Sequence, residues 1–453
     1  MVGMKILILT HFFPPGHLGG TEVLSFGLAK SLVAAGHNVQ VICGESWATA
    51  PSYQIRATHE IYDTVPVNRL HFNWMKAPHV FRYLYNNPEV YRYITDFLKE
   101  FKPDIVHITS CYTLSASIVD AVADLGFKSV FSATDFWFLC ARNTLLRTDQ
   151  SLCNVPENPW ECAQCLMDGA RAYRLPKKIL PGSATLRLLK GISAYPLITN
   201  QRGFRGMLGD WEDRFRYLAR MLQKVGLIVT ASNFLKNKFI NFGIPAEKII
   251  YSSYGLDTTW SVGYETKTPA SHLRLGFIGQ LIPVKGPDLL IKAVHSLPAE
   301  LPVQLKIYGD LMKMPDYGEE LKLLAQGDAR IEFRGTFENS KMGTVLQDID
   351  VLVVPSIWYD FPLVIPSAFA TKTPVIATDL PGMNELIENN VTGLLFERAD
   401  LRGLADSILK LVHKPELLEQ MRSQIQPVKT INELADEYLA YYALVENPKL
   451  TTA

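Results

Sequence analysis

The sequence predicts an α/β protein made of two doubly wound, Rossmann-like domains, each a parallel sheet with helices on both faces. Three observations predict it. The chain has 453 residues, more than one ordinary hydrophobic core organises. Short apolar, β-rich runs alternate with longer helical patterns along the chain, the mark of α/β architecture. Each half also opens in the same way, with a strand, a glycine-containing loop and a helix.

The first half places strands at 5–10, 39–43, 104–109, 129–134, 226–232 and 249–253. The second places them at 273–279, 303–309, 331–335, 351–355, 374–378 and 393–396. Most are apolar on both faces, as strands covered on both sides must be. The pattern breaks at 258–271, TTWSVGYETKTPAS, a polar stretch read as the interdomain linker. The expected domains are therefore 1–257, with an insertion at about 138–224, and 272–430. A final amphipathic helix in 431–453 is expected to return to the first domain. Ligands of such sheets bind at the carboxyl ends of the strands, so two facing sheets imply one central cleft.

Composition narrows the function. The apolar fraction of 48% is that of a soluble globular protein. Lys plus Arg equals Asp plus Glu, 45 each, so global charge selects no polyanionic partner. No apolar run reaches the roughly 18–20 residues needed to cross a bilayer. The opening MVGMKILILTHFFPP has one lysine, a short apolar run and no small-residue cleavage site, and reads as a first buried strand. Six cysteines in so long a chain do not suggest a secreted disulfide scaffold, and a reducing cytoplasm is the expected compartment. Cys43 and Cys111 lie in or beside strand patterns and read as core residues.

Two loops carry candidate phosphate chemistry. Gly19-Gly20 follows the first strand and opens a helix, so backbone amides and the helix N-terminus can meet an anion. The same residues also make an ordinary tight turn. Lys285-Gly286 repeats the arrangement in the second half and adds a cation able to neutralise a departing diphosphate, or a plain surface lysine before a helix.

At this point the residues carry a resemblance. FFPPGHLGGTE, GHNVQVI, KPDIVHI, SNFLKNKF, GIPAEKI and YGLD stand in the first half. FIGQLIPVKG, VLVVPS and TPVIATDLPGMNELIENNVTGLLF follow in the second. In this order and spacing the chain resembles the retaining glycosyltransferases of the GT-B fold, family 4 (group 1), over nearly its whole length. The resemblance implies a nucleotide-sugar donor in the second domain and a glycan or lipid-linked acceptor in the first. It also implies transfer with retention and no catalytic metal. Under it, Gly19 and Gly20 approach the donor and Lys285 binds the diphosphate. The backbone around Phe361, Pro362, Leu363 and Val364 cradles the sugar, although Pro362 has no N–H to give.

Several positions depart from the family pattern. Its two glutamates flank an F-G-L-V or F-P-L-V run, the first on the donor sugar and the second on the ribose. Here the second falls on Ser367, and the first on Tyr359, or on Asp360 with a loop one residue shorter. Asp360 can take the sugar-facing role; Ser367 cannot make a charged bidentate contact, and also reads as a helix N-cap. Gln280 stands where an arginine is frequent, and Thr134-Asp135 where a histidine precedes the aspartate. Asp135 is expected to line the acceptor side. Glu385, in PGMNELIE, is retained in an expected loop and helix start, positioned for nucleotide contacts or simply favourable with the helix dipole.

Cys140, Cys153, Cys162 and Cys165 form C-x12-C-x8-C-x2-C in a polar, loop-like segment. Four thiolates complete a tetrahedral shell, so a structural zinc ion or an iron–sulfur cluster is expected there, against the alternative of thiols or disulfides without metal. A similar insert accompanies a subset of the resembling family. From Arg171 to Lys224 basic residues prevail, interleaved with apolar and aromatic ones. That segment reads first as a set of solvated helix faces over an ordinary core, and otherwise suits peripheral contact with an anionic membrane on its inner face; no motif for nucleic acid accompanies it. The leading expectation is a cytoplasmic transferase that builds a surface polysaccharide or glycolipid. The alternative is a weak or inactive relative that binds glycan or nucleotide, or assists a partner.

Overall fold

A computed structural model describes residues 3–155, 158–169, 182–193, 195, 197, 210–358 and 361–446. The chain divides into two compact units. The first holds residues 1–231, 235–253 and 432–453, and the second holds 232–234 and 254–431.

The first unit is built on eight strands: β1 (Lys5–Thr10), β2 (Asn38–Ser46), β3 (Arg56–Tyr62), β4 (Val65–Phe72), β5 (Ile105–Ile108), β6 (Lys128–Ala133), β7 (Leu227–Thr230) and β8 (Ile249–Tyr251). Their order in the sheet is β3-β4-β2-β1-β5-β6-β7-β8. All neighbours are parallel except β3 and β4, which pair antiparallel. β1 is buried from Ile6 to Thr10, which is why it reads as a continuous apolar run. The helix Gly20–Ala34 covers it with Leu24, Leu28 and Leu32, one stripe at four-residue spacing. The helix Pro88–Phe101 starts on Asn87, whose Oδ1 accepts from the amides of Glu89 and Val90 at 3.1 and 3.3 Å.

The β3–β4 pair is the departure from the expected strand set. It closes through Asp63 and Thr64, both at positive φ (41° and 75°), in a tight hairpin. β3 is an edge strand, RATHEIY, mostly in solvent, so it lacks the apolar run by which the buried strands announce themselves.

The helix Ile431–Glu446 packs on this first sheet. Its Tyr442 hydroxyl lies 2.7 Å from Nδ1 of His107 on β5, and Nε2 of His107 lies 2.7 Å from Ser132 Oγ on β6. Tyr438 bonds the same Ser132. Burial with these neutral partners pushes the His107 pKa down to about 3.

The second unit has six parallel strands: β9 (Leu273–Ile278), β10 (Val303–Tyr308), β11 (Ile331–Gly335), β12 (Val351–Val354), β13 (Val375–Thr378) and β14 (Gly393–Phe396). Their order is β11-β10-β9-β12-β13-β14. The chain thus winds outward one way from β9, then returns to its other side with β12. Leu290, Ile291 and Val294 from the helix Pro287–Ser296 and Leu404, Ile408 and Leu411 from Leu401–His413 complete one core over this sheet. Behind it, Asp350 takes both Nε and Nη2 of Arg274 at 2.9 and 2.8 Å and a third bond from Arg422 at 3.0 Å. The Arg274 guanidinium is 4% exposed, so this is a buried ion pair.

Candidate functional site

β9 and β12 are neighbours from which the chain departs in opposite directions, the switch point where open α/β sheets bind ligands. The loops leaving their carboxyl ends carry Lys285 and Gly286 on one side and Trp358 and Phe361 on the other. They are joined: the amide of Ile357 donates to the Val284 carbonyl at 3.0 Å. Gly286 sits at φ 69°, and a Cβ there would stand 2.1 Å from the Pro355 carbonyl oxygen. This close approach is the reason for glycine. Lys285 lies in the short turn Pro283–Lys285 and holds its Nζ 5.2 Å from the centre of the Trp358 ring. Arg398 braces the second loop through a 2.7 Å bond from Nε to the Ile357 carbonyl. Phe361 stands edge-on to Tyr254 at 4.9 Å. Trp358 and Arg398 had no sequence signal of their own; the fold brings Trp358 to Lys285 and Arg398 to the backbone of the same loop.

Pro362 and Leu363 lead into the helix Val364–Ala370, with Leu363 as its N-cap. Ser367 is therefore inside the helix and not at its start. It is 4% exposed, and its hydroxyl donates to the Leu363 carbonyl one turn back at 2.8 Å. Asp360 and Tyr359 lie outside the described residues. Gln280 is exposed at the end of β9, and its carbonyl accepts from the Ile282 amide at 3.0 Å.

Glu385 follows β13 in a succession of turns spanning 381–386, not at the helix start expected there. Its two oxygens accept from the amides of Asn233 and Phe234, at 2.6 and 2.9 Å, within the second unit. These amides begin the helix Asn233–Asn241.

In the first unit the switch point lies between β1 and β5. Gly19 is the N-cap of Gly20–Ala34, and a Cβ on it would meet a Glu22 carboxylate oxygen at 2.4 Å. Glu22 thus occupies the first turn of the helix behind the two glycines. Burial pushes its carboxyl up, but the bond and charge of His11, 3.3 Å away, outweigh that and hold it below its usual range. Nδ1 of His11 is buried and makes no hydrogen bond among the described residues. This His–Glu pair escaped the sequence reading, since His11 sits in the loop after β1 and only the fold brings it to the helix.

Asp135 follows β6. Its Oδ2 accepts from Ser110 Oγ and its Oδ1 from the Trp137 amide, both at 2.9 Å. Thr134 directs its hydroxyl to the Thr109 carbonyl at 2.8 Å. Asp135 is thus held rigidly at the carboxyl edge of the sheet, next to the loop after β5.

Five residues beyond Asp135 the four-cysteine segment begins. Cys140, Cys153, Cys162 and Cys165 are all half-buried and free, and all four line one small cavity with Leu146, Leu166 and Arg142. Burial, then the neighbouring thiols, push the Cys162 pKa up to about 12. Among the described residues, no group of three or more His, Cys, Asp or Glu side chains is arranged to hold a metal ion as they stand.

The basic segment divides. Arg171, Arg174, Lys177, Lys178, Arg202 and Arg205 lie outside the described residues, while Arg187 and Lys190 are exposed on the helix Gly182–Ser193. On the helix Trp211–Lys224, Arg214 is buried, Arg216 meets Glu212 and Asp213, and Lys224 bonds Asp124 at 3.0 Å. These cations on the second helix are spent within the fold. Among the described residues no helix is long and apolar enough to cross a membrane.

Residues 18–162 match the family model of Glycosyltransferase Family 4, and residues 272–414 that of Glycosyl transferases group 1. The chain is 30% identical over 155 residues to D-inositol 3-phosphate glycosyltransferase of Rhodococcus erythropolis, covering 33% of this chain and 35% of that protein. It is 26% identical over 153 residues to alpha-D-kanosaminyltransferase of Streptomyces kanamyceticus, covering 34% and 39%. The chain thus aligns with little more than a third of the length of these curated relatives. Among solved structures, sucrose-phosphate synthase from Thermosynechococcus elongatus superposes with a TM-score of 0.65 at 16% identity, covering 98% of this chain and 99% of that one. Anabaena HepE in complex with UDP gives 0.64 at 17%, covering 97% and 100%. Residues 18–162 and 272–414 are thus domains of the family 4 and group 1 glycosyltransferase types, and the two parallel-sheet units have the GT-B architecture.

Proposed function

We propose that this protein transfers a sugar, with retention, from a nucleoside-diphosphate donor to a glycan or lipid-linked hydroxyl, in the building of a surface polysaccharide or glycolipid. The observation that carries the reading is the second unit's switch point, where Lys285, Gly286, Trp358 and Phe361 flank the carboxyl ends of β9 and β12. In this reading Lys285 neutralises the charge that develops on the departing diphosphate. The backbone of Phe361, Leu363 and Val364, with Asp360, holds the donor sugar. Gln280 bonds a phosphate oxygen, and Gly19 and Gly20 approach the donor. Asp135 lines the acceptor side. The complex of HepE with UDP supports a uridine or related diphosphate as the first donors to try. The proposed setting is the cytoplasm, with the exposed Arg187, Leu188 and Lys190 available to an anionic membrane face.

A second reading, a weak or inactive relative that binds a nucleotide or glycan, is favoured by a specific observation. Ser367 and Thr134, which stand where the family carries a glutamate and a histidine, spend their hydroxyls on backbone carbonyls. Glu385, the retained acid, spends both oxygens on backbone amides.

The deciding experiment incubates the protein with a panel of nucleotide sugars and glycan or lipid-linked acceptors and follows release of nucleoside diphosphate. Turnover with one donor, and a product whose anomeric configuration matches the donor by NMR, supports transfer with retention. A donor that binds but never turns over, with turnover restored by Ser367→Glu together with Thr134→His, establishes the second reading. Salt-sensitive co-sedimentation with anionic vesicles checks the membrane contact.

A further inference from the structure

We propose that Cys140, Cys153, Cys162 and Cys165 form a tetrathiolate centre for one divalent metal ion of the zinc class, which pins the loop after Asp135 to the helical part of the insertion.

The first support is convergence. The four cysteines come from separate pieces of chain. Cys140 ends the turn after Asp135, where its amide donates to the Phe136 carbonyl at 2.7 Å. Cys153 closes a small loop through a 2.8 Å bond from its amide to the Leu145 carbonyl. Cys162 and Cys165 lie three residues apart on the helix Pro159–Gly169, the spacing that presents two side chains from one face. All four nonetheless line the same cavity, and no disulfide joins any of them. Four sulfurs and no other ligating side chain but Glu161 on the wall is a donor set selective for borderline-soft metals.

The second support is charge. Arg214 is 3% exposed, yet no carboxylate lies within ion-pair distance of it among the described residues. It donates to the Trp137 carbonyl at 2.7 Å and lies over the Trp137 ring at 5.6 Å. Cys140 and Cys162 lie within electrostatic reach of it. A buried guanidinium with only neutral neighbours is costly. Metal binding removes that cost: each thiol releases its proton to solvent, and a divalent ion with four thiolates leaves two net negative charges beside the arginine. Arg142 and Arg147 stand on the cavity wall as further counter-charges. Arg147 reaches Cys153, and the Thr148 amide reaches Cys165. Such outer donors to metal-bound sulfur tune and orient a thiolate site.

The third support is what the centre joins. The helix Pro159–Gly169 has a core of Trp160, Ala163 and Met167 with Trp211, too small to secure the long polar loop between Cys140 and Cys153 by itself. The sulfurs line the cavity without yet closing on one point. The ion draws them together, the usual coupling of metal binding to local folding.

The test uses the full chain, purified under reducing conditions from cells supplied with zinc. Elemental analysis should find about one zinc per chain. Replacement by cobalt(II) should give sulfur-to-cobalt charge-transfer absorption with tetrahedral d–d bands. Addition of a mercurial in the presence of a colorimetric chelator should release the metal as four thiols become titratable, and a protease should then cut within residues 141–155. Cys162→Ser with Cys165→Ser should abolish metal retention. If that variant fails to fold, the metal content and cobalt spectrum of the unaltered protein decide alone. Metal-free protein with four thiols that react freely, or with paired disulfides by mass, overturns the proposal. So does the visible absorption of an iron–sulfur cluster, which would make the centre polynuclear.

Discussion

At the residue scale the fold is decided by what each polar atom bonds. Gly286 and Lys285 illustrate the two kinds of constraint at the donor loop. Gly286→Ala places a Cβ against the Pro355 carbonyl in a left-handed conformation, and should cost about 1–3 kcal/mol of stability by urea unfolding. Lys285→Ala removes a half-buried cation that rests on Trp358. It should lower kcat roughly 10²–10³-fold in the transfer assay while leaving the urea midpoint nearly in place. A wild-type rate in that variant removes Lys285 from the proposed chemistry. The departures from the family pattern also live at this scale. In the sequence Ser367 can be a ribose ligand or a helix cap; in the structure it is inside the helix rather than its cap, and its hydroxyl proton is donated to its own helix. Glu385 reads as a nucleotide contact or a helix-start acid, and the amides of Asn233 and Phe234 take both of its oxygens.

At the element scale two buried polar joints hold secondary structures together. Asp350, at the entry to β12, binds Arg274 on β9 and Arg422 on the helix Pro415–Gln424. Asp350→Ala leaves the buried Arg274 guanidinium with only the longer, half-exposed contact to Asp348 at 3.4 Å. Loss of about 3–5 kcal/mol is expected by denaturant unfolding, and a loss below 1 kcal/mol shows that water reaches the arginine. The joint of β5, β6 and the helix Ile431–Glu446 is neutral, built from His107, Ser132, Tyr438 and Tyr442. An unfolded histidine takes its proton near pH 6.5, whereas His107 takes it only near 3 when folded. Between these values the unfolded chain holds the extra proton. The stability from His107 is therefore complete above about pH 6.5 and falls by about 1.4 kcal/mol per unit as the pH drops toward 3. Urea titrations across pH 4–7 should show this slope, and His107→Gln should lower it by one proton. An unchanged slope in the variant assigns the acid sensitivity to other groups.

At the scale of the whole molecule the chain makes one unit, builds the second, and returns to the first with its last helix. A chain ending at residue 430 exposes the face that Leu434, Tyr438 and Tyr442 bury. Calorimetry should then show the transition of the first unit lowered or lost while that of the second persists; two unshifted transitions deny the helix a stabilising part. The sequence alone determined the two α/β domains and the positions of twelve of the fourteen strands among the described residues, because strands buried on both faces must be apolar throughout and that signal is local. It also placed Lys285-Gly286 and the FPLV run each in the loop after a strand of the second domain; that the two strands are neighbours is the structure's finding. The exposed edge strand β3 lacked that local signal, and β4, buried but broken by Pro66, Asn68 and Arg69, needed the structure as well. So did the His11–Glu22 pair, the gathering of four cysteines around one cavity, and the buried Arg214 beside them. The reason is physical: hydrophobic periodicity is written residue by residue. The partner of a charge, a hydroxyl or a thiol is chosen by the three-dimensional path of the chain, as when Glu385 finds its amides 152 residues away.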